Sequence, residues 1–154
     1  MIVYRFAHRK FAHDLSGLGA RLHGGRWNKK GISVVYTSST ISLALLETLV
    51  HAGSFEVLQP FTLMQLSIPD TSSSYIIKRN QLKKNWFRDF EHTQWMGSEI
   101  LQDMKALFIE CPSAVIHEES NFLLNPLHKD YHKITVQEMR HFNFDERLFS
   151  LVNR

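Results

Sequence analysis

The chain of 154 residues contains one cysteine, four prolines and seven glycines, and it has no hydrophobic run of membrane-spanning length. Cys111 has no partner in the chain, so an internal disulfide is excluded and a reducing compartment fits. A membrane-spanning helix needs about 20 consecutive apolar residues. The opening segment, MIVYRFAHRK, lacks the apolar core of a secretion signal. We therefore expect a cytoplasmic protein without a membrane partner.

Neither sign of charge dominates, and patterns of metal ligands are missing. The 18 Lys and Arg residues against 15 Asp and Glu give a net charge of +3, which favours an anionic ligand or acidic partner without requiring nucleic acid. The nine His residues form no HExxH motif, and no CxxC motif is present. We expect no metal site.

The remaining composition is that of a globular domain. Hydrophobic residues make up 44% and aromatic residues 12% of the chain, enough for one domain over residues 1–154 to fold without covalent links. Gly-rich residues 15–25 are predicted to be a loop, and residues 145–151 a final turn. Helices are predicted at 41–52, after a Ser-Ser-Thr cap, and at 97–107, capped by Ser98. Strands are predicted at residues 1–6, 32–37, 57–68, 75–77 and 108–116, the last of them broken at Pro112. The apolar segment 122–124 ends at Asn125-Pro126, and residues 134–144 are a mixed, strand-like tail. Many strands with two clear helices indicate an α+β fold.

Glu47 is the most informative single residue. Helix positions three and four residues away share one face, and here they are Leu43, Ala44, Val50 and His51. A carboxylate buried without a partner costs several kcal/mol, so a glutamate on an apolar face is a candidate for function. The alternative is a glutamate at the helix edge that reaches solvent or pairs with His51.

A glycine turn between two arginines precedes that helix. Arg21 and Arg26 flank Gly24-Gly25; guanidinium groups bind phosphate in a bidentate manner, and glycines let backbone N–H groups approach it. The segment matches neither a P-loop nor GxGxxG. It indicates a site for a phosphorylated ligand beside a reaction centre, and the alternative is a surface loop with solvated arginines.

Other residues have two interpretations each. Tyr36 and Trp27 are candidates for stacking on a base or nicotinamide, or for simple core packing. Ser113, Ser120 and Asn121 either line a polar pocket or occupy turns. The basic run at residues 78–88, with Trp86 and Phe87 inside it, is typical of a solvated face, although it also fits single-stranded nucleic acid. A nucleic-acid-binding module or ribonuclease toxin is therefore an alternative function.

Several segments, in their order and spacing, resemble the RES domain from residue 4 to residue 148. The segments are Tyr4-Arg5, RLHGGRWN, VVYTS, LALLETLVH, PSAV, Asn121 with LLNP, and FNFDERL. In the last one Glu146 stands between Asp145 and Arg147, where the family usually has proline. The resemblance implies that Arg26, Glu47 and Ser113 are the Arg, Glu and Ser of the family name, with Ser120 as the alternative serine.

The resemblance also implies a fold and an activity. Members of the family have an ADP-ribosyltransferase-like split mixed β-sheet with flanking helices, and they are NAD-consuming toxins of type II toxin–antitoxin pairs. Their activities are phosphorolysis of NAD with inorganic phosphate, hydrolysis of NAD, and ADP-ribosylation of a protein. Their partner is an Xre-type helix-turn-helix antitoxin, so contact with DNA would occur only through the antitoxin.

The resemblance then suggests roles for the site residues. Glu47 would stabilise the charge that develops on the ribose, Arg26 would bind the pyrophosphate, Tyr36 would pack on nicotinamide or ribose, and Ser113 would hydrogen-bond near the nicotinamide ribose. These four form the implied catalytic set. The implied NAD-binding set is Arg5, Arg21, Gly25, Trp27, Ser120 and Asn121.

Overall fold

The computed structural model describes residues 1–150, which build one seven-stranded mixed sheet with five α-helices and three short 3-10 helices. The strand order is β4-β5-β6-β2-β1-β3-β7, and only β4 and β5 run parallel. The predicted α+β class is confirmed. The strands are β1 Ile2–His8, β2 Val35–Ser38, β3 Phe61–Ser67, β4 Ser74–Ile76, β5 Phe108–Pro112, β6 Ser120–Leu124 and β7 Thr135–His141. The helices are α1 Leu18–His23, α2 Ile41–Leu49, α3 Phe55–Leu58, α4 Phe90–Gln102 and α5 Arg147–Ser150.

Four of the sequence-based elements need correction. The predicted loop at 15–25 contains helix α1, and the first part of the predicted strand at 57–68 is helix α3, which ends just before Pro60. The predicted helix at 97–107 is wrong at both ends, because α4 begins at Phe90 and ends at Gln102. Its cap is Asp89, whose carboxylate accepts a hydrogen bond from the His92 N–H. The predicted turn at 145–151 contains α5, and its last residue lies outside the described residues.

The two faces of the sheet have different surroundings. Alternation along the strands directs Val3, Val35 and Phe122 to one face, where they pack in a hydrophobic cluster. The other face carries helices α2 and α4, so we call it the helix face: Phe6 packs there against Ala44 of α2, and Leu123 against Leu101 of α4. Within residues 1–150, no helix has the length and apolar character of a membrane span.

Candidate active site

Helix α2 carries Glu47 to the helix face. Thr40 caps the start of the helix: its hydroxyl oxygen accepts a hydrogen bond from the Leu43 N–H at 3.1 Å. Leu43 and Ala44 are buried in its first turns. Glu47 follows one turn later, half-buried, on the same side of the helix as these two residues. The apolar face thus holds a carboxylate over the sheet, as the sequence pattern indicated.

The Glu47 carboxylate is bound through one oxygen only. The Ser113 hydroxyl donates to Oε1 at 2.7 Å, and the Asn121 amide Nδ2 donates to the same oxygen at 2.5 Å. The Ser38 hydroxyl donates to Asn121 Oδ1 at 2.7 Å, which turns the amide nitrogen toward Glu47. No donor among residues 1–150 is bonded to Oε2. One carboxylate oxygen is therefore fixed and the other is left for a ligand.

Ser113, and not Ser120, meets Glu47. Ser113 is fully buried, and besides donating to Glu47 its oxygen accepts from the Val115 and Ile116 N–H groups, both at 3.0 Å. This hydroxyl has no capacity left for a ligand. Ser120 points to the opposite face of the sheet, where its hydroxyl donates to Glu110 at 2.9 Å.

Arg26 shares this site without contacting Glu47. Its guanidinium donates through Nη1 to the Phe87 carbonyl at 2.7 Å and lies over the Phe90 ring, 3.9 Å from the ring centroid. Burial lowers the pKa of Arg26, and the negative charge of Glu47 acts in the opposite direction. No direct ion pair joins the two groups in the part of the chain that the structure describes. The two charges are thus close enough to interact, and no direct hydrogen bond or ion pair joins them in the described residues.

Arg26 lies in a loop of residues 25–29, which we call the arginine loop. Tyr36, on the neighbouring strand β2, binds this loop through its hydroxyl group. The Tyr36 hydroxyl donates to Asn28 Oδ1 at 2.7 Å and accepts from the Trp27 N–H at 3.0 Å. Burial raises the pKa of Tyr36 well above its usual value. A Cβ atom on Gly25 would lie 2.6 Å from the Tyr36 hydroxyl oxygen, so only glycine fits there.

Asn28 organises the arginine loop, and sequence reasoning did not single it out. The side chain is fully buried, and its amide nitrogen donates to the carbonyls of Ala20 at 2.8 Å and Ile32 at 2.9 Å. Its amide oxygen accepts from Tyr36. The sequence signal was available: a lone asparagine shortly after a Gly-Gly turn often bonds nearby backbone groups.

Four predicted ligand-binding or nucleic-acid-binding residues lie elsewhere. Trp27 is 2% exposed and Trp86 is 4% exposed, and their rings pack together with centroids 5.7 Å apart, so neither offers a stacking surface. Arg5 is on the face opposite Glu47, where burial lowers its pKa and Asp14 partly compensates. Arg21 is exposed in the last turn of α1.

Of the predicted set, the structure brings together Arg26, Tyr36, Glu47, Ser113 and Asn121, with Gly25 beside Tyr36.

Replacing Tyr36 by phenylalanine should loosen the arginine loop. The Tyr36→Phe substitution leaves the buried Asn28 oxygen and the Trp27 N–H without a partner, which costs about 1–3 kcal/mol for each orphaned group. We expect a lower midpoint of urea unfolding. Tyr75→Phe on exposed β4 is the matched control and should leave the midpoint unchanged. Equal midpoints for the two variants would contradict the structural role of the Tyr36 hydroxyl.

Comparison with known proteins identifies the family. The RES domain model matches residues 2–146. The chain belongs to the RES domain family. This RES domain is 38% identical over 152 residues to "Toxin Res" of Photorhabdus laumondii, covering 96% of this chain and 97% of the relative. It is 34% identical over 143 residues to the "Prs ADP-ribosylating toxin" of Sphingobium sp. strain YBL2, covering 89% and 88%.

A solved structure has the same fold as this RES domain. It comes from the crystal structure of the M. tuberculosis MbcT–MbcA toxin–antitoxin complex, with a TM-score of 0.72 over 97% of this chain and 87% of that chain. The identity is 16%, so the likeness is one of fold. Within residues 1–150, no cluster of three or more His, Cys, Asp or Glu residues is arranged to hold a metal ion.

Proposed function

We propose that this RES domain is a toxin that cleaves the nicotinamide–ribose bond of NAD. The observation that carries the proposal is the Glu47 carboxylate, fixed through Oε1 by Ser113 and Asn121, close enough to the Arg26 guanidinium for the two charges to interact. The toxin names of relatives that cover nearly the whole chain support it. The whole chain, residues 1–154, is taken as one such domain acting in the cytoplasm.

The chemistry needs the two charges of this site. When the bond breaks, nicotinamide leaves with the bonding electron pair as a neutral base, and the ribose carbon becomes positively charged. A fixed carboxylate stabilises that charge more in the transition state than in the ground state. The free Oε2 of Glu47 is the atom for this task, whereas Arg26 binds the pyrophosphate. An acceptor then forms the new bond to the ribose carbon.

The structure changes some roles within this proposal. Ser113 positions Glu47 rather than contacts NAD, because its hydroxyl is fully used and buried. Asn121 donates to the same carboxylate oxygen and also positions Glu47. Tyr36 and Gly25 determine the shape of the arginine loop, and the Trp27 ring anchors the loop in the hydrophobic core. Arg5 and Ser120, on the other face, have no part in the proposed site.

The test is release of nicotinamide from NAD by the purified protein, with and without inorganic phosphate. Dependence on phosphate would identify phosphate as co-substrate, and release without it would identify hydrolysis. Folded protein that releases no nicotinamide in either arm, and transfers no label from NAD to proteins of a lysate, would contradict the proposal.

A protein acceptor is the second candidate. The relative from Sphingobium, 34% identical to this chain, is named a Prs ADP-ribosylating toxin, and the two activities differ only in what attacks the ribose carbon. Labelled NAD incubated with lysate separates them: transfer to one discrete protein band favours ADP-ribosylation, and label that remains in small molecules favours NAD degradation.

We also propose an antitoxin partner of the Xre helix-turn-helix type that covers this site. The neighbour of the same fold was crystallised with its antitoxin, and a carboxylate of the partner would suit Arg26 and exposed Arg21. Co-expression with the adjacent reading frame should restore growth and yield a complex. High expression of the chain alone, without growth arrest, would contradict the toxin function.

Ser38 offers a test of how Glu47 is positioned. Ser38→Ala removes the donor that orients the Asn121 amide, and such a hydrogen bond contributes about 0.5–1.5 kcal/mol. We expect kcat for NAD cleavage to fall by up to about tenfold, with little change in KM. Ser42→Ala on the exposed side of α2 is the control. An unchanged kcat in Ser38→Ala would show that the amide needs no such orientation.

A further inference from the structure

Helix α4 makes contacts to the arginine loop that the proposed chemistry does not yet explain. Four of the five loop residues are each met by one residue from a single side of the helix. Thr93 Oγ1 donates to the Arg26 carbonyl at 2.7 Å, and Gln94 Nε2 donates to the Gly25 carbonyl at 2.8 Å. Further along, the Ser98 hydroxyl accepts from the Lys29 N–H at 2.9 Å.

The fourth contact is a close approach of the Gly97 backbone to the Trp27 backbone. A Cβ atom on Gly97 would lie 2.0 Å from the Trp27 carbonyl oxygen, so the loop lies directly on the helix at this point. Thr93 and Ser98 are 0% and 3% exposed, which places polar side chains in a position where a helix normally buries apolar ones. The Thr93 hydroxyl also lies 3.3 Å from the Asp89 carbonyl oxygen and 3.2 Å from that of Phe90, but its shortest contact is to the Arg26 carbonyl of the loop. The side-chain hydrogen bond of Ser98 is to the loop backbone.

The side chain of Arg26 is held from the same direction. Its guanidinium donates to the carbonyl of Phe87, in the turn that leads into α4, and rests on the ring of Phe90, the first residue of the helix. Both ends of Arg26, backbone and guanidinium, are thus set by α4 and the turn before it.

We infer that α4 is the element that positions Arg26 for its ligand, and that Thr93 and Gln94 are positioning residues for binding the pyrophosphate of NAD. The inference rests on the proposed function of Arg26. Neither residue contacts the ligand; each fixes the loop backbone from which the guanidinium projects. Because the guanidinium donates several hydrogen bonds in a rigid plane, a small shift of its backbone weakens a bidentate contact.

The test is a double-mutant cycle between Thr93 and Arg26. Thr93→Val keeps the shape of the side chain and removes its donor, and Thr93→Ser keeps the donor. We expect Thr93→Val to raise KM for NAD about five- to tenfold with kcat within about twofold, and Thr93→Ser to restore KM. In an Arg26→Ala background, Thr93→Val should add no further change, because the group that it positions is gone. Gln94→Met should behave like Thr93→Val, and exposed Glu91→Gln is the control.

Each alternative outcome has a distinct meaning. If Arg26→Ala raises KM but Thr93→Val and Gln94→Met do not, the positioning role of α4 is overturned while the proposed function stands. If Thr93→Val lowers kcat and the melting temperature together, and its effect adds fully to that of Arg26→Ala, the residue is only structural and the inference fails. If Arg26→Ala itself leaves KM unchanged, the proposed role of Arg26 fails and the inference falls with it.

Discussion

Replacing Glu47 by glutamine should lower NAD cleavage by about 100- to 1000-fold, the effect of removing one group that stabilises charge in a transition state. In Glu47→Gln the amide oxygen can replace Oε1 and still accept from Ser113 and Asn121. The amide nitrogen then stands where Oε2 was. The substitution therefore removes the negative charge from Oε2, the carboxylate oxygen that accepts no hydrogen bond from the described residues. The surrounding hydrogen bonds stay the same.

Turnover and stability should be measured together for this variant. The melting temperature of Glu47→Gln should match that of the wild-type protein, whereas Glu47→Ala leaves the nearly buried Asn121 nitrogen without an acceptor, at a cost of about 1–3 kcal/mol. Exposed Glu99→Gln on α4 is the matched control for loss of a carboxylate. If Glu47→Gln retains more than about a tenth of wild-type kcat, Glu47 is not the charge-stabilising group.

The second large effect concerns Gly97. Alanine is a better helix former than glycine by about 1 kcal/mol, so Gly97→Ala would stabilise α4 if the helix were free. The added Cβ atom, however, would lie 2.0 Å from the Trp27 carbonyl oxygen and 2.8 Å from its carbonyl carbon. Both are backbone atoms that cannot rotate away, so the arginine loop must separate from the helix and lose its hydrogen bonds to Thr93 and Gln94.

We therefore expect Gly97→Ala to destabilise the fold by about 2–3 kcal/mol or more, and to lower the melting temperature by roughly 5–10 °C. Gly19→Ala is the matched control, because Gly19 lies in helix α1 and a Cβ atom added there would have no other atom within 4 Å. That variant should be as stable as wild type or up to about 1 kcal/mol more stable. Similar melting temperatures for both variants would show that the loop does not rest on α4.

The sequence predicted elements well where local pattern and tertiary packing agree. β1, β2 and α2 were placed within a few residues, because their apolar periodicity matches the face that they bury and Thr40 caps the helix. The start of α4 was missed because Thr93, Gly97 and Ser98 interrupt the apolar stripe. Those interruptions are the residues that bind the arginine loop, so the pattern failed where the helix has a second task.

The sequence could not tell to which face of the sheet a strand side chain points. Neighbouring residues in a strand point to opposite faces, and Ser120 and Asn121 are one residue apart in β6. The sequence could nominate both, but the register of β6 against β5 and β2 decides that Asn121 meets Glu47. Arg5 was nominated with its neighbour Tyr4 and lies on the other face for the same reason. Trp27 was named as a candidate for stacking, and its ring is instead buried in the core against Trp86.

The separation of the site residues along the chain has a consequence for protein synthesis. Glu47 is joined to Ser113 across 66 residues and to Asn121 across 74, and β6, which carries Asn121, lies between β5 and β2 in the sheet. A ribosome that has translated only the first two thirds of the message has therefore made Arg26, Tyr36 and Glu47 but no assembled site. The proposed site is therefore complete only after β6, in the last third of the chain, has been synthesised and has paired with β2 and β5.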